Sequence, residues 1–139
     1  MARFVSQVPL RWTDQDSYRH VNHARTVTLL EEARIDLMFG EASRDGVGTF
    51  AEGLLVAGLE VDYRRQIPYR SEPLQVTMWV HALRAASFTI SYEMHDGPDD
   101  ASPVAVSAHT RMALFDLDAG RPRRITADEK AFLQRWADA

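Results

Sequence analysis

The sequence of 139 residues contains no cysteine, and this absence removes several kinds of chemistry at once. Disulfide bonds, thiolate zinc sites and thiol nucleophiles are all excluded. Long apolar runs are also missing, because no stretch approaches the roughly 18 residues that span a bilayer. The N-terminal stretch MARFVSQVPLRW has no apolar signal-peptide core. We therefore expect a cytoplasmic protein without a membrane partner.

An excess of basic residues is missing too, since the formal net charge is −4. Nucleic-acid binding is not expected, because neutralising backbone phosphates requires a basic face. Hydrophobic residues make up 45% and charged residues 26% of the chain, as in ordinary globular proteins. The length predicts one domain over residues 1–139, large enough for a single core.

The spacing of apolar residues predicts the elements of the fold. A helical period predicts one long helix over residues 23–39, with Asn22 as its N-cap and Gly40 at its C-terminal end. Residues 41–53, which contain three glycines, predict a loop. Alternation predicts strands near residues 4–12, 54–64, 74–82, 88–94 and 104–114.

Three further signals complete this prediction. Pro9 cannot donate a ladder hydrogen bond, so the first strand is expected at a sheet edge or a bulge. A capping box at residues 126–129 opens a short C-terminal helix. The order of strand, long helix, four strands and short helix predicts an α+β fold, in which one helix packs on one face of an antiparallel sheet. The opposite face is expected to expose Trp79, Leu83 and Phe115, which favours a subunit interface or a ligand surface.

The polar turn between the first strand and the long helix carries the candidate chemistry. Asp16 precedes a helix N-terminus, whose unpaired N–H groups suit an oxyanion or a carbonyl oxygen. Asp16 is therefore a candidate base or nucleophile, although a turn or capping role is the common one for aspartate here. Asp14 is expected to hold the loop. His20 and His23 beside these carboxylates lack a helical pair spacing, so no metal site is expected.

Several motifs in order resemble one family. They are Arg11-Trp-Thr-Asp-Gln-Asp16, His20-Val-Asn-His23, Leu30-Glu-Glu-Ala-Arg34, Val61-Asp-Tyr-Arg64, Ala86-Ser-Phe88 and Leu114-Phe-Asp116. The chain resembles, over nearly its whole length, hotdog-fold acyl-CoA thioesterases of the 4-hydroxybenzoyl-CoA thioesterase superfamily. The resemblance implies a five-stranded antiparallel sheet of order 1-3-4-5-2 that wraps round the long helix. It also implies a homodimer with a ten-stranded sheet and active sites at the interface, or a dimer-of-dimers tetramer.

The same resemblance assigns the roles of individual residues. It implies Asp16 as the catalytic carboxylate and the backbone N–H of His23, or of a neighbour, as the group that holds the thioester carbonyl. Arg19 stands where many relatives have glycine. Glu31 is the second candidate base, since a helix carboxylate serves in some hotdog enzymes, but a pair with Arg34 is the favoured interpretation. The candidate substrate-binding residues are His20, Asn22, Ser87, Arg64 and Glu31, and the candidate phosphate ligands also include Arg65, Arg121, Arg123 and Arg124.

The expected activity is hydrolysis of an acyl-CoA to a carboxylic acid and a free thiol. No cofactor is expected, because coenzyme A belongs to the substrate. Asp16 either attacks the thioester or activates water. Two alternatives stay open: a non-catalytic protein that binds acyl groups or acyl-CoA, and a thioesterase that releases acyl chains from a phosphopantetheine carrier protein.

Overall fold

The computed structural model describes residues 2–137. A six-stranded sheet is combined with one long helix and one short C-terminal helix. Two 3₁₀ turns, Trp12–Asp14 and Thr49–Glu52, lie between these elements. No helix within residues 2–137 is both long and apolar enough to cross a membrane. The elements are β1 (Phe4–Val8), α1 (His23–Ile35), a π-helical segment (Asp36–Glu41), α2 (Ala42–Arg44), β2 (Leu54–Tyr63), β3 (Leu74–His81), β4 (Ser87–His95), β5 (Val104–Asp116), β6 (Arg121–Pro122) and α3 (Ala127–Arg135).

The main sheet has the order β1-β3-β4-β5-β2, and every neighbouring pair in it is antiparallel. This confirms the predicted hotdog architecture and strand order. Alternate residues of β3, β4 and β5 are buried beneath the long helix, because successive side chains point to opposite faces of a strand. The buried apolar residues of the helix face the same core, among them Leu30, Ala33 and Leu37.

The two edge strands of the sheet, β1 and β2, can be compared with the strands predicted from the sequence. β1 pairs only with β3, and Pro9 directly follows it, as expected for an edge strand. β2 pairs only with β5, and the register shifts between Val56 and Gly58. Leu59 and Tyr63 lie on the helix side of β2, yet 46% and 47% of their surfaces are exposed. The predicted half-buried strand is therefore largely open on both faces.

The long helix ends later than the sequence predicts. Its three segments together form 22 residues from His23 to Arg44, and Gly40 lies inside them. The left-handed residue is Gly46, at φ 79°. The N–H of Gly46 donates to Ser43 O at 3.0 Å and that of Val47 donates to Ala42 O at 2.8 Å, which is a Schellman ending. Gly40 was the wrong choice, because buried Leu37, Met38 and Ala42 extend the apolar face of the helix through it.

The predicted loop over residues 41–53 is largely structured. Helical residues occupy its start, and the turn Thr49–Glu52 follows. Phe50 is 1% exposed, and its ring lies 6.4 Å from that of Phe88 and 6.0 Å from that of Phe132. This aromatic cluster holds the segment against the sheet and against α3. The prediction failed because the glycines of this segment obscure its single large apolar anchor.

Two of the three residues expected on the outer sheet face lie there. Trp79 and Phe115 are half-buried, and each follows a fully buried core residue along its strand. The guanidinium of Arg3 lies 3.8 Å from the centre of the Trp79 ring. Leu83 was assigned wrongly, because it packs against the core. Ala82, at φ 52°, turns the chain directly after β3 and ends the alternation.

A buried ion pair fixes α3 to the rest of the domain core. The Glu129 carboxylate is fully buried and accepts two hydrogen bonds from the Arg123 guanidinium, both at 2.8 Å. It also accepts from the N–H of Thr126 at 2.9 Å and from the Thr49 hydroxyl at 2.8 Å. Burial alone raises the pKa of this carboxyl, but the hydrogen bonds and the charge of Arg123 outweigh it and lower the pKa from 4.5 to about 2.

Replacing Glu129 with glutamine is expected to reduce the free energy of unfolding at neutral pH by roughly 3 kcal/mol, at about 1.4 kcal/mol per pH unit of pKa difference. Because the folded pKa lies below the unfolded one, this stabilisation is complete above about pH 5 and is lost as the pH falls towards 2. Urea titrations across that range measure the effect. The glutamine variant should lose less stability on acidification than the wild type.

Asp128→Asn is the matched control, since Asp128 is the exposed neighbour of Glu129 in the same first turn of α3. The Asp128→Asn variant should lose no more than about 1 kcal/mol of the free energy of unfolding, which is the size of a helix-terminus charge effect. Equal losses in the two variants would contradict the role given to the ion pair.

Candidate active site

The turn between β1 and α1 is closed by its own backbone. The N–H of Asp16 donates to His20 O at 2.8 Å, and the N–H of Arg19 donates to Asp16 O at 3.0 Å. Arg19 has φ 68°, a left-handed conformation that disfavours side chains with a Cβ atom. The turn is tied to the β2–β3 connection, because the N–H of Val21 donates to Ile67 O at 2.8 Å.

Asp14 holds the base of this turn, as expected. It is 1% exposed, and its carboxylate accepts from the N–H of Arg11 at 2.8 Å and from the Arg11 guanidinium at 3.0 Å. The Asp14 carbonyl accepts from the N–H of Asn22 at 2.9 Å. One buried residue therefore joins the end of the strand to the start of the helix.

Asp16 is partly exposed, and its two carboxylate oxygens differ. Oδ1 accepts from the N–H of Tyr18 at 2.9 Å and from the N–H of His20 at 3.4 Å. Oδ2 has no hydrogen-bond partner within residues 2–137. The side chain is thus oriented by one oxygen and leaves the other available to a ligand.

The start of α1 supplies donors beside this carboxylate. The Asn22 side chain accepts from the N–H of Ala24 at 2.9 Å, which confirms Asn22 as the N-cap. The Asn22 carbonyl accepts from the N–H of Thr26 at 3.0 Å. The N–H of His23 finds no acceptor within the described residues, as is usual for the first turn of a helix. This N–H and the positive end of the helix favour a negatively charged or carbonyl oxygen.

A cleft of about 470 Å³ brings these groups together. Tyr63, at the end of β2, forms one wall, and its hydroxyl donates to His23 O at 2.7 Å. Its ring meets that of His23 edge-on at 6.4 Å, and burial raises the pKa of its hydroxyl. The lining residues are Asp16, Tyr18, His20, Val21, His23, Thr26, Tyr63, Arg64, Arg65, Gln66, Ile67 and Val106.

Five of the predicted residues therefore share this cleft: Asp16, His20, His23, Arg64 and Arg65. Arg64 pairs with Asp62 at 3.6 Å, and its side chain is 55% exposed. Asn22 lies next to the cleft as the helix cap, so its side chain is already engaged. The Nδ1 atom of His20 is buried without a hydrogen-bond partner within residues 2–137.

Two predicted site residues lie elsewhere in the same chain. Glu31 is eight residues beyond His23, about 12 Å along the helix, and pairs with Arg34 at 3.4 Å. Ser87 pairs with Ala113, seven residues from the cleft residue Val106 along β5 and so about 20 Å away. Among the candidate phosphate ligands, Arg123 instead forms a salt bridge with the buried Glu129.

Sequence reasoning missed Tyr63, Tyr18 and Thr26 as parts of the cleft. Tyr63 comes from the far end of a strand, so only the strand order brings it to the helix start. The motif Val61-Asp-Tyr-Arg64 contained the signal, since Arg64 was named from it and the residue beside it was not. No cluster of three or more histidine and acidic side chains suited to a metal ion occurs in the described part of the chain.

The family model of the thioesterase-like superfamily matches residues 10–136. The chain belongs to the thioesterase-like superfamily. Its activity is therefore thioester hydrolysis, and the cleft at the start of α1 is the candidate place for it. No curated protein matches the sequence at a significant level.

Solved structures of other thioesterases share the architecture of this superfamily member. A predicted thioesterase from Bacillus stearothermophilus is 21% identical, with a TM-score of 0.79 over 99% of this chain and 98% of that one. A probable thioesterase from Escherichia coli is 24% identical, with a TM-score of 0.76 and coverages of 96% and 98%. A thioesterase from Thermus thermophilus, complexed with coenzyme A and Zn, is 22% identical, with a TM-score of 0.74 and coverages of 95% and 92%. These similarities establish a shared fold.

The left-handed conformation of Arg19 generates a prediction for this turn. Arg19→Gly and Arg19→Ala both remove the exposed side chain, but only glycine removes the backbone strain. The glycine variant is therefore expected to be more stable than the alanine variant by about 1 kcal/mol in urea unfolding. Both should retain kcat within several-fold of the wild type. Equal stabilities of the two variants would contradict backbone strain at Arg19. A raised KM with unchanged kcat in both variants would show that the Arg19 side chain takes part in substrate binding.

Proposed function

We propose that this protein hydrolyses acyl-CoA thioesters, with Asp16 as the catalytic carboxylate. The observation that carries the proposal is the placement of Asp16 and the helix start in one cleft. The free Oδ2 of Asp16 and the unpaired N–H of His23 both belong to residues that line it. A thioester carbonyl bound to that N–H develops negative charge where the helix terminus stabilises it.

Two routes are compatible with this arrangement. In the first, Asp16 Oδ2 attacks the thioester carbon, the coenzyme A thiolate leaves and takes up a proton, and water hydrolyses the mixed anhydride. In the second, Asp16 removes a proton from water, which attacks the carbon directly, and the proton passes to the leaving thiolate. Both give a carboxylic acid and a free thiol. Single-turnover hydrolysis in ¹⁸O water tests the first route: label in the Asp16 peptide requires a mixed anhydride that water opens at the Asp16 carbon, and the second route never places label there.

Coenzyme A is the proposed thiol carrier. The Thermus thermophilus relative holds coenzyme A, which supports a substrate of this class. Arg64 and Arg65 line the cleft and are exposed, so their guanidinium groups are available for phosphates. Arg64 gives up only an exposed pair with Asp62, which is worth little in water.

We further propose that the active unit is at least a homodimer joined through β2. Within the described residues one edge of this strand is unpaired, and its apolar side chains Leu55, Val56 and Leu59 are 42–46% exposed, an unusual surface for a monomer. A second copy joined edge to edge extends the sheet to ten main strands and covers these side chains.

The first test of the proposed function compares two asparagine variants in a thiol-release assay over acyl-CoAs of varied length and aromaticity. Asp16→Asn keeps an oxygen for the turn N–H groups but removes the base and nucleophile, so kcat should fall about 10²–10⁴-fold. Asp14→Asn weakens the contacts of a buried carboxylate with Arg11, so the melting temperature should fall more than kcat.

Wild-type turnover by Asp16→Asn would reject the assignment and make Glu31 the next candidate. Stabilisation of the wild type by acyl-CoA without any thiol release would reject hydrolysis in favour of binding alone.

The dimer is tested with two arginine variants. Leu59→Arg places a charge in the exposed apolar surface and should give a monomer in sedimentation at micromolar concentration. Leu117→Arg is the matched control, because Leu117 is 58% exposed and lies in the turn after β5. It should remain dimeric. A monomeric wild type would overturn the proposed interface.

A further inference from the structure

Arg34 is a largely buried cation with weak hydrogen-bond partners. Only 13% of its side chain is exposed. The guanidinium donates to the Tyr92 hydroxyl at 3.4 Å and to the Glu31 carboxylate at 3.4 Å, both long for hydrogen bonds. Glu31 is itself 56% exposed, and an exposed pair three residues apart on a helix contributes little. No other acceptor for Arg34 lies within residues 2–137.

Arg123 has stronger partners than Arg34, although its Nε is buried without a hydrogen-bond partner within residues 2–137. Its side chain is 14% exposed, almost the same as that of Arg34. Arg123 makes two hydrogen bonds of 2.8 Å to a fully buried carboxylate and a third of 3.1 Å to Thr49 O. Because a guanidinium has five donors and burial of a charge is costly, Arg34 has unused capacity for an anion.

Two buried hydroxyls extend this donor group. The Tyr92 hydroxyl and the Thr110 hydroxyl lie 2.7 Å apart, and both residues are 1% exposed. Thr110 pairs with Leu59 across β5 and β2, so this polar group lies beneath the exposed apolar surface beside the β2 edge.

The position along the helix relates Arg34 to the cleft. Arg34 follows His23 by eleven residues, which is about three turns, on nearly the same side of the helix. His23 and Arg34 are about 16 Å apart along the helix axis. Because the Arg34 side chain points back towards the helix N-terminus, its guanidinium lies roughly 10–16 Å from the helix start. A medium-length acyl chain attached at the helix start has this reach.

We propose that Arg34, with Tyr92 and Thr110, binds a carboxylate at the distal end of the acyl chain. The inference rests on the proposed function, since it takes the helix start as the thioester site. It makes coenzyme A monothioesters of α,ω-dicarboxylic acids the preferred substrates. The exposed apolar side chains of β2 contact the methylene chain, and the guanidinium donates to the terminal carboxylate in place of its weak partner Glu31.

The test measures binding, so that it does not depend on turnover. The Asp16→Asn variant is titrated by calorimetry with monothioesters of about six to twelve carbons, each paired with the methyl-ended acyl-CoA of the same length. The dicarboxylic member should bind more tightly at one length. Adding Arg34→Met should lower the affinity for the dicarboxylic member about 10–100-fold, so that the two ligands of a pair bind with similar affinity.

Two further variants guard against misfolding and against general charge effects. Glu31→Gln removes the competing carboxylate at an exposed position, so it should strengthen binding of the dicarboxylic ligand and not of its methyl-ended partner. Arg25→Met removes an exposed arginine from the same helix and should affect both ligands equally.

The outcomes distinguish the two proposals. Equal binding of both ligands to the Asp16→Asn variant, at every length, overturns the inference and leaves thioester hydrolysis untouched. Two other outcomes also overturn it. One is a preference for the dicarboxylic ligand that changes neither with Glu31→Gln nor with Arg34→Met. The other is loss of dimerisation in the Arg34→Met variant without any change in that preference. A preference that depends on Arg34 in a protein that hydrolyses no thioester supports the anion site and rejects the proposed function.

Discussion

The buried carboxylate of Asp14 is the constraint on which the arrangement of the cleft depends. It accepts the N–H of Arg11, three residues after the first strand, and its own carbonyl accepts the N–H of Asn22 at the helix cap. Because a buried carboxylate is costly without donors, this residue fixes both ends of the loop together. Asp16, two residues further on, is thereby held beside the helix N-terminus.

Local signals in the sequence predicted those parts of the fold that short-range interactions determine. Asn22 caps the helix, and the box formed by Thr126 and Glu129 opens α3, because each depends only on residues within a few positions. The end of the long helix could not be predicted in this way. Buried contacts of Leu37 and Met38 outweighed the tendency of Gly40 to end a helix, so the helix continued towards Gly46.

The residues of the candidate site also divide into those that are close in sequence and those that only strand pairing brings together. Asp16, His20 and His23 lie within eight residues of one another, so one turn brings them together, and the sequence sufficed to name them. Tyr63 and Val106 reach the cleft only through the pairing of β2 with β5, which no local pattern encodes. Ser87 was named because it stands at the start of a strand, yet within one chain the strand geometry keeps it at the other end of the sheet.

The π-helical segment Asp36–Glu41 separates the long helix into two parts that need not change together. Each π turn holds one residue more than an α turn, so the segment absorbs an inserted residue without rotating the helix before it. A hydrogen bond between Asp36 and Ser6 anchors the start of the segment to β1. An extra residue in this segment therefore shifts the Phe50 end of the domain and leaves the orientation of the helix start beside Asp16 unchanged.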